Sequence, residues 1–189
     1  EVDNAIALYQ QSLDLDEKIG NVQGKAASLH QLAGIYAQLG DVDNAIALFQ
    51  QSLELLEKIG DVQGKAASLH QLAGIYASRG DVDNAIALFQ QSLELKEKIG
   101  NVQGKAASLC MLGQLLADEK QDYTTALEYL QESFEIFEHL KSPTAQTAKE
   151  IIDRIRAAQI KSTSQDSSNG IIAFWRKLIN KIRKLGIGY

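Results

Sequence analysis

Along most of this chain the apolar residues return at helical spacing, in stretches of about 18 residues that end on glycine. In "DVDNAIALFQQSLELLEKIG", residues 41–60, Ala45, Leu48, Phe49, Leu53 and Leu56 fall on one stripe, with Asp41 placed to cap the start and Gly60 to stop the end. The following stretch, "DVQGKAASLHQLAGIYASRG", repeats the logic with Asp61 as cap, Leu69, Leu72, Ala73 and Tyr76 as stripe and Gly80 as stop. Neither stretch alternates, so strands are excluded. The pattern predicts antiparallel helix pairs, each helix about 27 Å long.

The pairs are copies of one another. Residues 1–40 return as 41–80 with seven changes: Glu1/Asp41, Tyr9/Phe49, Asp14/Glu54, Asp16/Leu56, Asn21/Asp61, Gln38/Ser78 and Leu39/Arg79. A third copy begins at Asp81 and departs after Leu109, and a decayed one keeps Leu112, Gly113, Ala126, Leu130 and Ser133 in register after one inserted residue. A period near 40 residues built from helices implies a solenoid. Helices are expected at about 2–19, 22–39, 42–59, 62–79, 82–99, 102–119 and 122–140, making residues 1–141 the repeat array. Ser142 and Pro143 then start a capping helix over 142–161. The array opens on a second-type helix without its first-type partner, which predicts a fragment of a longer repeat protein with a raw end able to self-associate.

The stretch "LHQLAGIYAQLGDVDNAIALF", residues 29–49, resembles the tetratricopeptide repeat. Leu29, Leu32, Ala33, Tyr36, Ala45 and Phe49 stand at its motif positions, and Leu69, Leu72, Ala73, Tyr76, Ala85 and Phe89 repeat them. The motif's closing proline is absent, and the longer period resembles the variant found in Leu-Gly-Asn-repeat and kinesin-light-chain scaffolds and in bacterial, notably cyanobacterial, arrays. The resemblance implies an all-α fold, a right-handed alpha-alpha superhelix, and a platform for protein or peptide ligands. In that family the first-type helices line the concave face. Carried over, the partner-binding positions are Gln23, Ala27, His30, Gly34, Ala37 and Gln38; then Gln63, Ala67, His70, Gly74, Ala77 and Ser78; then Gln103, Ala107, Cys110, Gln114, Ala117 and Asp118. Such a groove is neutral and rich in small residues, with amides and imidazoles for hydrogen bonds. The Lys and Asn pairs that clamp a peptide carboxylate in some relatives are missing, and His30 and His70 are expected as solvated groove residues.

Composition argues against chemistry. One cysteine and three histidines supply no zinc pattern, no phosphate loop or paired-carboxylate motif occurs, and Cys110 is expected as an inert thiol. A non-enzymatic protein with no cofactor and no metal is the reading, and its single cysteine suits a reducing, cytoplasmic setting.

Charge changes the picture at one end only. The chain carries -5, yet the segment 171–189 holds five cations and no acid, leaving -10 on residues 1–170. After a polar, flexible linker at 162–170, the sequence predicts a basic amphipathic helix over 171–189. Phe174, Trp175, Leu178 and Ile182 fall on its apolar arc, and Arg176, Lys177, Lys181, Arg183 and Lys184 on the other. Such a helix needs a surface: its own solenoid, a neighbouring copy exchanging helices, a partner protein, or an anionic membrane on which it is peripheral. Nucleic acid is not an expected partner, because the acidic remainder repels phosphate.

Overall fold

Six short acidic or amide caps set the frame of the molecule. The computed structural model describes residues 2–184, leaving out the side chains of 165–170 and 178–184. Among the described residues all regular structure is helical: α1 (Val2–Ile19), α2 (Val22–Gln38), α3 (Val42–Ile59), α4 (Val62–Ser78), α5 (Val82–Lys98), α6 (Val102–Lys120), α7 (Tyr123–His139) and α8 (Thr144–Lys184). Asn21, Asp41, Asp61, Asp81, Asn101 and Asp122 each accept a hydrogen bond from the backbone N–H three residues on. This satisfies one of the orphan donors at the helix start. Gly60 leaves α3 in the left-handed region at φ 73°, where a side chain would be strained.

Successive helices pack in chain order, with α2 and α4 also touching, so the molecule is a stack of helix pairs. Its core is the apolar stripe of each helix. Phe49 of α3 is buried among Ala33 of α2, Ala45, and Leu72 and Ile75 of α4. Phe89 repeats the arrangement with Ala73 and Leu112. Backbone polarity inside the stack is answered by a ladder of buried serines. Ser52, Ser92 and Ser133 donate to the carbonyls of Ala26, Ala66 and Ala106 at 2.8, 2.7 and 2.8 Å, tying each second-type helix to the first-type helix before it. A buried hydroxyl without that acceptor would cost about 1–3 kcal/mol. On the surface Arg79–Asp43, Lys120–Asp83 and Arg154–Asp118 pair across repeats, each a minor contribution.

Copy divergence at the core is paired. Where Ala33 and Ala73 face phenylalanine, Gly113 faces Leu130, and a Cβ on Gly113 would lie 2.6 Å from Leu130 Cγ and 2.9 Å from the Ala126 carbonyl oxygen. Gly113→Ala restores the residue of the earlier copies and adds helix propensity, yet the backbone oxygen cannot step aside. We expect it to lower stability by about 1–2 kcal/mol. A urea midpoint equal to or above that of the wild type would contradict the packing account.

The proximal part of α8 closes the array: Ile152 and Ile155 are buried against Ala117, Ala126 and Leu130, and Ala148 against Ala106 and Phe137. The structure departs from the sequence reading at 162–170. No linker interrupts the backbone there, because α8 runs unbroken through Lys184. Proline is absent from this stretch, and the hydroxyls of Thr163 and Ser164 turn back onto the carbonyls of Gln159 and Ile160 at 2.7 and 2.8 Å. Serine-rich composition therefore does not break the helix here, since its hydroxyls bond within the turn instead of competing for another conformation. At 41 residues α8 is about 60 Å long, more than twice the length of α7, so its distal part extends past the stack.

Candidate functional site

Helices α2 and α4 bring Gln23, Ala27, His30, Gly34, Ala37, Gln38 and Ala67 together on one side of the stack, whereas Ala117 of α6 is buried against α8. Between α2 and α4 lies a cavity of 370 Å³ lined by His30, Gln31, Gly34, Ile35, Ala37, Gln38, Phe49, Gln71 and Ile75. A neighbouring cavity of 190 Å³ is lined by Gln23, Ala26, Ala27, His30, Gln31, Leu56, Asp61, Gly64, Ala67 and Ser68. His30 borders both, so the two form one groove. Gln63, Gln103 and Ser78 are exposed, with the Ser78 hydroxyl donating to its own helix at Ile75. Gly34 and Gly74 present open space, for a Cβ on either meets nothing within 4 Å. Gln31 and Gln71 did not emerge from the carry-over. The signal was their place next to the histidine in each copy.

The histidines are only half-exposed, where solvated groove residues were expected. His30 Nδ1 lies 2.8 Å from Ser68 Oγ and its ring stands edge-on to Phe49; His70 Nδ1 lies 3.1 Å from Ser108 Oγ, edge-on to Phe89. Each imidazole is thus held from below by the aromatic core and from the side by the next copy. The driving force is the hydroxyl of that next copy, which a half-buried ring nitrogen needs as partner. Burial holds His30 below the ordinary histidine range and, with the charge of Lys96 adding to it, brings His70 down to about 4. Both rings are neutral at physiological pH.

Beneath His70 sits a charge. Lys96 occupies in α5 the position of Leu56 in α3, is only 6% exposed, and donates from Nζ to Ser108 Oγ at 2.9 Å. An ammonium can only donate, so Ser108 accepts from Lys96 and its own proton is directed at His70 Nδ1. That fixes His70 with its proton on Nε2. Among the described residues no carboxylate pairs with Lys96, and burial brings its amine down to about 8. In the first copy the same slot holds Asp16, which accepts from Asn21 at 2.8 Å.

At the third copy the groove changes character. Cys110 stands in the register of His70, half-buried; burial raises its thiol, so it is a poor nucleophile at neutral pH. The amide of half-buried Gln114 bends back to the Cys110 carbonyl at 3.4 Å. Asp118 is engaged by Arg154 of α8 through two hydrogen bonds, at 2.8 and 3.0 Å. No group of three or more His, Cys, Asp or Glu placed to hold a metal occurs among the described residues.

Of the expected amphipathic helix, Phe174, Trp175, Arg176 and Lys177 are exposed on α8 together with Ile171 and Ile172. The side chains of Leu178, Lys181, Ile182, Arg183 and Lys184 lie outside the described residues, as do Glu1 and residues 185–189. No described helix is long and apolar enough to cross a membrane.

Comparison with known proteins bears on the fold. The family model for the tetratricopeptide repeat matches residues 1–58 and 64–139. Among solved structures, a putative kinesin light chain from Podosopora anserina, with nearly identical tetratricopeptide-like repeats, superposes with a TM-score of 0.69 at 23% identity, covering 94% of this chain and 88% of its own. BtubC from P. vanneervenii gives 0.71 at 17% identity over 84% of this chain and 66% of its own, and the apo form of RapI gives 0.76 at 18% over 94% and 48%. The chain therefore spans about two thirds of BtubC and just under half of RapI. At these identities the likeness is one of fold. No curated protein sequence matches the chain.

Proposed function

From the premise that this chain belongs to the tetratricopeptide repeat family, whose repeats mediate protein–protein interaction, we propose that it is a non-enzymatic scaffold holding a partner peptide or helix in the groove of α2, α4 and α6. The observation that carries this reading is the pair of adjoining cavities that share His30, open in front of Gly34 and walled by neutral groups apart from Asp61 at one end. Gln23, Gln31, Gln38 and Gln71 offer both donors and acceptors, which suits the amides of a peptide backbone better than a carboxylate or phosphate. The glycine lets that backbone approach closely. With both histidines neutral, ligand affinity should depend little on salt.

Gly34→Arg combined with Gly74→Arg tests the reading, because the new side chains leave the helix backbone and core untouched and fill the groove. Screened on an immobilised random-peptide array, the wild-type chain should select peptides that the double variant binds at least about tenfold more weakly, a loss of 1.4 kcal/mol or more. Equal binding by both chains would remove the groove from the function.

A further inference from the structure

We propose that the distal part of α8 is an interfacial anchor for anionic lipid bilayers, a property separate from peptide capture in the groove. Four large apolar or aromatic side chains stand uncovered there: Ile171, Ile172, Phe174 and Trp175 are 59%, 56%, 62% and 54% exposed, against 6% for the buried lysine in the stack. The rings of Phe174 and Trp175 meet edge-on with centroids 5.9 Å apart, so the two aromatics form one patch. Arg176 and Lys177 follow directly, also exposed.

The stack itself does not cover this patch. The buried residues of α8 against α6 and α7 are Ala148, Ile152 and Ile155, and the helix continues from them to a stretch whose described side chains, residues 171–177, are all exposed. What remains must come from outside, and charge selects it. From residue 171 onward the sequence holds five cations and no acid, on a body of net charge -10. Aromatic residues beside cations on a helix too polar to span are the chemistry of a helix lying in the headgroup layer. Anionic headgroups attract the cations, while the acidic solenoid is repelled and stands away from the surface.

The full chain reports on itself, since Trp175 is the only tryptophan. Its emission should shift to the blue, and the protein should float, with phosphatidylcholine vesicles containing phosphatidylserine. With phosphatidylcholine alone it should do neither, and raised salt should release it. Arg176→Glu with Lys177→Glu should lower the bound fraction at least about tenfold without moving the thermal melt of the solenoid, because both residues are exposed. Unchanged emission and no flotation with anionic vesicles would overturn the proposal. So would emission already blue in buffer that follows protein concentration along with a doubled mass by light scattering, which would make a second copy the occupant. Because the groove double variant retains the anchor, it should still float, so failure of either reading is visible without the other.

Discussion

Phe89→Ala should cost about 3–5 kcal/mol, the largest loss from any single truncation in the array. The ring is 0% exposed and fills the space between Ala73 of α4 and Leu112 of α6, so alanine leaves a cavity walled by two helix pairs that cannot both collapse into it. It is also the wall on which His70 stands edge-on, and its loss frees that imidazole from the Ser108 contact. In a stack each pair is stabilised by its own packing and by its neighbours, so a defect at the middle interface uncouples the two sides. Urea unfolding should therefore change from one transition to two, with the tyrosine and backbone signals no longer coincident. A loss below about 1 kcal/mol with a single transition would show that the interface at Phe89 does not couple the pairs.

Lys96→Leu should work in the opposite direction and stabilise the chain by about 2 kcal/mol at neutral pH. An amine almost fully removed from water, with one serine hydroxyl as partner, loses hydration that the serine does not restore; leucine, which the preceding copy carries at Leu56, fills the slot with apolar contact. The sign of the pH dependence follows from the amine. Its folded value, about 8, lies below the ordinary 10.5, so between these pH values the unfolded chain holds the proton and the folded chain has released it. Wild-type stability from this group therefore rises across that window, and the advantage of Lys96→Leu should be full below about pH 8 and shrink toward pH 10.5. Denaturation curves of both proteins at pH 7, 9 and 10.5 check it. An advantage that does not narrow on raising the pH would mean that the lysine is charged and satisfied in the fold.

Near-identity of the copies made the fold readable. Asp41 and Gly60 bracket α3 because a carboxylate satisfies the first N–H groups and glycine alone leaves a helix cheaply at positive φ. The same duplication hid the groove's fine structure, since surface and core were copied alike. Ser68 and Ser108 look like ordinary small helix residues in sequence, and only the stacking of α2 on α4 and of α4 on α6 shows them beside the imidazoles. Lys96 was legible in part: its alignment with Leu56 marks an apolar slot, but a lysine at a helix end usually reaches solvent. Residues 162–170 misled because serine and glycine disfavour helix without forbidding it, and no proline decides the matter.

The unbroken backbone of α8 fixes an angle as well as a length. Along a continuous helix each residue turns the outward direction by about 100°, so the bearing of Trp175 relative to the buried Ile155 is set by the twenty residue steps from one to the other and not by diffusion about a tether. A membrane-bound molecule would then present its groove at one azimuth and one height. One residue gained or lost in this stretch would swing the groove by about a quarter turn, while seven would bring it back to within about 20° of where it began.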